Sequence, residues 1–166
     1  KLKFISGGTS ITLPLIEQKL IPKDINHFRI GEAAFFGVSP LKNEKFKELS
    51  IDTFEFTANI IELEEKETVP EGVINDANIG HTANFDAKNR GDTSVKAILD
   101  FGLLDVDNED LEVLDDKLIF VGITSDMIVV DLGSNKTEEG KKKYKIGDKI
   151  KFKPNYMAVA RLLNSK

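Results

Sequence analysis

The sequence has 166 residues, which is enough for one domain or about one and a half. Its hydrophobic content of 40% and charged content of 31% are typical of a soluble globular protein, and no apolar run reaches the roughly 18 residues that a membrane helix needs. The net charge of −5 argues against a nucleic-acid partner, and the absence of cysteine excludes a disulfide framework and a thiolate metal site.

The first 37 residues alternate between strand-like and helix-like patterns. An apolar strand at residues 2–5 leads through SGGTS at residues 6–10 into a helix with Pro14 in its first turn, where the missing N–H costs little. A second strand at residues 27–30 leads through Gly31 into a short helix. This order predicts a parallel sheet with crossover helices. Because two such units cannot cover both faces of a sheet, and because the chain begins without an initiator methionine, we expect them to be the end of a larger domain.

Both glycine turns have the features of a phosphate site. A strand that enters a helix through glycine directs unpaired backbone N–H groups at one point, where the helix dipole attracts an anion. The hydroxyls of Thr9 and Ser10 add hydrogen-bond donors. In (β/α)8 barrels, the loops after the last two strands often bind phosphate. On the pattern alone, two ordinary βα-turns with helix caps explain the glycines equally well.

A β pattern begins after a polar, lysine-rich connector at residues 38–50. Apolar and polar residues alternate between Phe54 and Ile60, which predicts a long strand. Residues 62–67 are predicted to be a charged strand end or a sheet edge. Residues 75–93 hold few apolar side chains and are predicted to form a long loop.

Three further strands are predicted, at residues 95–101, 118–123 and 127–132, and residues 144–152 are predicted to be a turn followed by an alternating strand. Short strands bounded by Gly and Asp favour an antiparallel barrel or sandwich. Residues 105–116 are predicted to be an acidic, solvated loop, because the spacing of their carboxylates does not match a calcium-binding EF-hand. No metal site is predicted anywhere in the chain.

Five segments together carry a resemblance to a known family: residues 6–10, residues 26–33 (NHFRIGEA), residues 122–126 with Asp131, residues 146–148 and residues 155–156. In this order they resemble the pyridoxal 5′-phosphate (PLP)-dependent amino-acid racemases, within them the ornithine-racemase-like branch of the alanine racemase superfamily. The resemblance implies an α/β plus all-β fold. Residues 1–47 would be the last two βα units of a PLP-binding (β/α)8 barrel, and residues 48–166 a C-terminal antiparallel β-barrel or sandwich domain.

The resemblance also implies a cofactor site at the two glycine turns. The hydroxyls of Thr9 and Ser10 and the backbone N–H groups of Gly31 and Glu32 would bind the phosphate of PLP. Tyr156 would reach the same phosphate from the C-terminal β-domain.

Two residues are implied to be catalytic, Arg29 and Asp126. Arg29 would lie against the pyridine nitrogen of PLP, where an arginine cannot accept a proton from the ring; this suits racemisation and argues against decarboxylation. Otherwise Arg29 is a strand-end arginine in a salt bridge. Ser125 and Asp126 would contact the substrate in the active site of the partner subunit. Otherwise Asp126 is a turn aspartate between two strands.

The sequence departs from the family in two places. The Schiff-base lysine of the family lies at the end of the first barrel strand, outside this chain, so we expect the chain alone to be inactive. The alanine racemases have a catalytic tyrosine in a Gly-Tyr-Ala-Asp stretch, whereas residues 102–105 read GLLD, with Leu103 in its place. The second acid/base group would then come from elsewhere. His81 is one candidate, although a surface histidine is the simpler interpretation.

The resemblance therefore implies a cytoplasmic, homodimeric racemase that uses PLP to interconvert the L- and D-forms of a free amino acid such as ornithine, lysine or alanine. Neither a nucleic acid nor a membrane is expected as a partner. Two alternatives stay open. One is a PLP decarboxylase of the same fold type (fold type III), which Arg29 disfavours; the other is a non-catalytic β-domain for dimerisation or partner binding, which Leu103 favours.

Overall fold

Two units divide the chain in the computed structural model, Lys1–Phe54 and Glu55–Lys166, hereafter the first and second units. The structure describes residues 2–71, 80–82 and 91–164. Most of the loop predicted at residues 75–93 lies outside the described residues. The domain boundary predicted between residues 47 and 48 stays a prediction.

The first unit contains two parallel strands, each followed by a short helix. In the parallel pairing of the two strands, Ser6 lies opposite His27 and Thr9 opposite Arg29. Pro14 lies in the first turn of the first helix, as predicted. The elements are β1 (Ser6–Thr9), a 3₁₀ turn (Ser10–Thr12), α1 (Leu13–Glu17), β2 (His27–Arg29) and α2 (Glu32–Phe36).

The first strand was predicted at residues 2–5, and this prediction was wrong. The strand lies at Ser6–Thr9, within the glycine segment that was predicted to be a turn. The side chain of Asn26 explains the shift. Its Oδ1 accepts from the Ile5 N–H at 2.9 Å and its Nδ2 donates to the Lys3 carbonyl at 3.2 Å. The Asn26 amide thus bonds the main chain of Lys3 and Ile5, while the Ile5 carbonyl accepts from the main-chain N–H groups of Asn26 and His27, and the register of the two strands begins at Ser6.

The connector predicted at residues 38–50 contains a small antiparallel hairpin of β3 (Val38–Ser39) and β4 (Glu44–Lys45). Its turn ends at Asn43, which has a positive φ of 53°. Asparagine tolerates this conformation better than most residues, which explains a tight turn in a segment with no strand-like pattern.

The second unit is a six-stranded antiparallel sheet, curled into a half-barrel, with the strand order β7-β10-β5-β6-β9-β8. One helix, α3, follows the last strand. The elements are β5 (Phe56–Glu67), β6 (Thr93–Leu99), a 3₁₀ turn (Asn108–Asp110), β7 (Leu111–Val113), β8 (Ile119–Ile123), β9 (Ile128–Asp131), β10 (Lys149–Pro154) and α3 (Tyr156–Asn164).

The core of the second unit consists of alternate residues from each strand, as the period-two patterns require. Three phenylalanines, Phe56, Phe101 and Phe152, pack with ring centroids 5.0–6.0 Å apart. The buried apolar side chains around them include Ala58, Ile60, Ala97, Leu99, Ile123, Ile128, Val130, Ile150 and Ala158.

Residues 62–67 are the charged end of β5, as predicted; they pair with β6, whereas β10 pairs with β5 only at residues 56–59. Lys66 there pairs with Glu62 at 3.0 Å and Glu64 at 3.2 Å, so the charges satisfy one another on the exposed face. Residues 105–116 are more than a loop, since they contain the 3₁₀ turn and β7. α3 was not predicted, and with nine residues it is the longest helix among the described residues, against the roughly 20 that span a membrane.

A buried ion pair lies on the face of the sheet opposite the core. Lys96 Nζ lies 2.6 Å from Asp131 Oδ2, and the two side chains are only 10% and 13% exposed. The Ser94 hydroxyl and the Gly133 N–H also donate to this carboxylate. Burial alone would raise the pKa of Asp131, but the hydrogen bonds from Lys96, Ser94 and Gly133 outweigh it, so that the pKa lies below its ordinary value.

Replacing Lys96 with Met is expected to lower the free energy of unfolding by about 2–3 kcal/mol, because it leaves the Asp131 carboxylate buried without its cation. Urea unfolding measures the change. Lys66→Met is the matched control on the same sheet; it removes an exposed lysine from two exposed carboxylates and should cost at most about 1 kcal/mol. Equal effects of the two substitutions would contradict a special role for the buried pair.

Candidate functional site

The carboxyl ends of β1 and β2 lie side by side. Thr9 and Arg29 are register partners on the two parallel strands, and both side chains are exposed. Ser10 follows one strand end, and Ile30 and Gly31 follow the other. The parallel pairing therefore brings both predicted glycine turns to one edge, which is where ligands bind in sheets of this kind.

Ser10 joins the two turns directly. Its hydroxyl oxygen accepts hydrogen bonds from the N–H groups of Gly31, at 3.3 Å, and Ala33, at 3.2 Å, and the residue is 7% exposed. These are N–H groups at the start of α2, which the helix itself leaves unpaired. The structure thus places Ser10 and Gly31 together as the sequence suggested. The second donor in contact with Ser10 is Ala33, while Glu32 is the half-buried first residue of α2.

The surroundings of the glycines differ between the two turns. A Cβ on Gly8 would overlap the ring of Phe28, and one on Gly7 would overlap Ile25, so these two glycines serve packing inside the first unit. A Cβ on Gly31 would meet no atom within 4 Å. Open space beside Gly31, next to main-chain N–H groups and the Ser10 hydroxyl, fits the approach of a phosphate group.

Arg29 is the last residue of β2, two positions before Gly31 in the sequence. Among residues 2–71, 80–82 and 91–164, no carboxylate forms an ion pair with it. The salt-bridged alternative considered from the sequence therefore has no support within the described residues. An unpaired guanidinium at a strand end is available to donate to an acceptor on a ligand.

The second unit brings two of its predicted site segments to one end of β6. β5 is antiparallel to both β6 and β10, so these two strands run in the same direction, but β6 ends with Leu99 opposite Ile60, whereas β10 begins with Lys149 opposite Asn59 and runs on past Phe56. β9 is antiparallel to β6 and begins beside its end. The segments carrying Leu103 and Asp126 leave the sheet there, at what we call the loop end, and Tyr156 follows the far end of β10.

Main-chain hydrogen bonds join the segment carrying Leu103 to the turn carrying Asp126. The N–H of Leu103 donates to the Thr124 carbonyl, and that of Leu104 to the Ser125 carbonyl, both at 2.9 Å. Gly102 permits the contact, because a Cβ there would lie 2.5 Å from the Ser125 carbonyl oxygen. Two segments of the resemblance that are distant in sequence are thus one structural feature.

Asp126 is exposed at the tip of the turn between β8 and β9. Its Oδ1 accepts from the hydroxyls of Ser125, at 3.0 Å, and Thr124, at 3.3 Å. Thr124 also bonds to the main chain of Met127, which closes the turn. Asp126 is therefore a turn aspartate whose carboxylate is held in place and faces outward, and such a carboxylate can bind an ammonium group.

His81 lies at the same end. Its carbonyl accepts from the Ile123 N–H at 2.9 Å, and its Nε2 lies 3.5 Å from Asp107 Oδ1, with the imidazole about half exposed. Leu104, the neighbour of Leu103, is 81% exposed. Within the described residues, no group of three or more His, Asp or Glu side chains is placed to hold a metal ion.

Tyr156 is the first residue of α3 and follows β10 after a single residue, Asn155. The side-chain oxygen of Asn155 accepts from the Ala158 N–H at 2.9 Å, which makes Asn155 the helix cap. This helix and the residues that hold it were not predicted from the sequence. Two features of residues 155–163 (NYMAVARLL) indicate a helix: the spacing of the apolar residues and the asparagine in the capping position.

Comparisons with known proteins show which proteins the chain is similar to. No protein-family model matches the chain. The chain is 32% identical to ornithine racemase from Acetoanaerobium sticklandii over 166 residues, which are 100% of this chain and 45% of the relative. It is also 32% identical to lysine racemase from Thermotoga maritima over 164 residues, 99% of this chain and 44% of the relative. The chain thus spans somewhat less than half the length of both relatives.

Among solved structures, alanine racemase from Oenococcus oeni matches 93% of this chain and 40% of its own, with a TM-score of 0.51 and 18% identity. This likeness shows the fold. The predicted fold class, two βα units of a barrel followed by an antiparallel β-domain, is confirmed. The resemblance to amino-acid racemases is confirmed as well.

Replacing Gly102 with Ala is expected to lower stability by about 1–3 kcal/mol, because the added methyl group forces the turn carrying Asp126 away from its neighbour. Thermal unfolding measures the loss. Gly122→Ala is the control, since a Cβ at Gly122, close to the same turn, would meet its nearest atom at an ordinary 3.5 Å. A Gly102 variant as stable as the Gly122 variant would show that the close contact is not required.

Proposed function

We propose that the protein is a PLP-dependent amino-acid racemase of which this chain forms the C-terminal part, because the chain is related along its whole length to the ornithine and lysine racemases. The observation that carries the proposal is the pair of strand ends in the first unit. There the Ser10 hydroxyl lies within hydrogen-bond distance of the Gly31 and Ala33 N–H groups, beside open space.

Residues of the two glycine turns would hold the cofactor. Thr9, Ser10 and the N–H groups of Gly31 and Glu32 are proposed to bind its phosphate, and Tyr156 is proposed as a further donor because the family resemblance implies it. Ser10 can accept from the helix N–H groups and donate its own hydrogen to the phosphate at once, since a hydroxyl is both acceptor and donor. These hydrogen bonds would stabilise the negative charge of the phosphate.

Arg29 is proposed to donate a hydrogen bond to the pyridine nitrogen. When bound, the cofactor would withdraw electrons from the substrate's α-carbon and so acidify its proton. Because the guanidinium stays charged and cannot take a proton from the ring, Arg29 would moderate that withdrawal. Moderate withdrawal favours exchange of the α-proton over loss of carbon dioxide, in keeping with a racemase.

Racemisation needs one acid/base group on each side of the substrate, since a proton removed on one side must be delivered on the other. The Schiff-base lysine would supply one group from outside this chain, so the chain alone is proposed to be inactive. Leu103 cannot supply the other. Asp126, with Ser125 beside it, is proposed to contact the substrate in the partner subunit's active site, which makes the working enzyme a homodimer.

A basic amino acid is the proposed substrate. The relatives that support this are named as ornithine racemase and lysine racemase. Asp126 presents an outward carboxylate, and Asp105 lies on the neighbouring segment, where its Oδ2 accepts from the Gly102 N–H at 3.1 Å. Either carboxylate could pair with the side-chain ammonium of such a substrate.

The test uses the full-length protein that contains this chain. We expect it to carry a visible absorption band of bound PLP and to destroy the optical activity of L-ornithine or L-lysine, while the 166-residue chain alone does neither. A band with release of carbon dioxide instead would favour the decarboxylase. No band at all would favour a non-catalytic β-domain.

Replacing Asp126 with Ala in that protein is expected to raise KM for ornithine or lysine about tenfold and KM for alanine much less, because the side-chain ammonium loses a charged hydrogen-bond partner. Initial rates of racemisation measure both values. Asp116→Ala, an exposed carboxylate of the acidic segment, is the control and should change neither. Equal increases for the basic and the apolar amino acid would contradict the proposed substrate class.

A further inference from the structure

Asp110 occupies the last position of the 3₁₀ turn, immediately before β7. The ladder between β7 and β10 pairs Leu111 with Pro154, which puts Asp110 opposite Asn155. Asp110 accepts two hydrogen bonds from Asn155, one from the main-chain N–H to its carbonyl and one from Nδ2 to its Oδ1, both at 2.9 Å. Two bonds fix both the main chain and the side chain of Asn155.

The bond to Nδ2 determines which way the Asn155 amide faces. A carboxylate only accepts hydrogen bonds, so it selects the NH₂ side of the amide and leaves the carbonyl oxygen pointing away from itself. That oxygen then accepts from the Ala158 N–H, while the Asn155 carbonyl accepts from Val159. Asp110 therefore orients the cap of α3, and Tyr156 is the first residue that this cap places.

A second contact ties Asp110 further along the same helix. Arg161 Nη1 lies 3.6 Å from Asp110 Oδ2 and 3.9 Å from Asp107 Oδ2. The two oxygens of one carboxylate thus hold α3 at its cap and near its last turn. Ala158, between these points, is fully buried against the sheet, so the helix has little freedom to rotate.

We propose that Asp110 is a positioning residue for Tyr156: it acts through Asn155 to set the direction in which the tyrosine leaves β10. The inference rests on the proposed function, in which Tyr156 binds the cofactor phosphate. It assigns a role to Asp110, an aspartate of the acidic segment at residues 105–116 to which the proposed function gives none.

The test compares four variants of the full-length protein. Asp110→Ala removes both side-chain contacts, and Asp110→Asn keeps an oxygen that can accept from Asn155. Glu109→Ala is the matched control, because Glu109 is the exposed neighbour in the same 3₁₀ turn and no described residue bonds its carboxylate. Tyr156→Phe removes only the hydroxyl. Spectroscopic titration gives the dissociation constant of PLP, and hydrogen exchange of the Ala158 amide in cofactor-free protein reports the cap.

We expect Asp110→Ala to raise the dissociation constant of PLP about tenfold and to speed exchange at Ala158, the size expected for the loss of an oriented hydrogen bond to a charged group. Asp110→Asn should stay within about twofold of the parent protein, and Glu109→Ala should not differ from it. In the Tyr156→Phe background, Asp110→Ala should add nothing to PLP binding, because residues that act through one another are not additive.

Three results would overturn the inference. If Asp110→Ala leaves PLP binding unchanged while Tyr156→Phe weakens it, Asp110 does not position the tyrosine, and the proposed function stands. If the two effects add fully, Asp110 acts only on stability. If Tyr156→Phe itself has no effect, the proposed phosphate contact of Tyr156 fails, and the inference fails with it.

Discussion

The second unit depends on one strand that serves two neighbours. The first four residues of β5, Phe56 to Asn59, pair with β10, and the rest of the strand, from Ile60 to Glu67, pairs with β6. A bulge between Ile60 and Glu62 lies where the partner changes. Because both neighbours are antiparallel to β5, they run in the same direction, and β10 begins beside the place where β6 ends. β5 thus links the segment of Leu103, which follows β6, to Tyr156, which follows β10, although the two come from distant parts of the chain.

The first unit shows how one hydroxyl can organise a turn. Ser10 fills the first hydrogen-bonding positions at the start of α2 and remains able to donate outward. Gly7 and Gly8, which look like phosphate glycines in the sequence, are required instead by Ile25 and Phe28 beneath them. Only Gly31 borders open space, so the glycine-rich appearance of the segment mixes two different physical causes.

Most of the strands could be predicted because apolar side chains alternate along them, as in β6, β9 and β10. Two strands were predicted wrongly for different reasons. The side chain of Asn26 bonds the main chain where the first strand was expected, so that the strand begins later. β7 was not predicted because its three residues, in an acidic segment, carry too short an apolar pattern to recognise. The contact between Gly102 and the turn of Asp126 could not be predicted, since it depends on two loops meeting in space. The resemblance suggested roles for Asp126 and Tyr156, which stay predictions, and it did not point to the carboxylate that orients the helix of Tyr156.

The pairing of β5 with β10 also has a consequence for how the protein acquires its shape. Lys151 and Glu55, which form a salt bridge across this pairing at 3.1 Å, are 96 residues apart in the chain. Contacts of such long range are slow to form, because the closure entropy must be overcome before the contact contributes. During synthesis, the first four residues of β5 are an open strand edge until β10 has been made, and such edges invite pairing with other chains. The placement of Tyr156 therefore depends on a pairing that can form only after residues 149–154 have been synthesised.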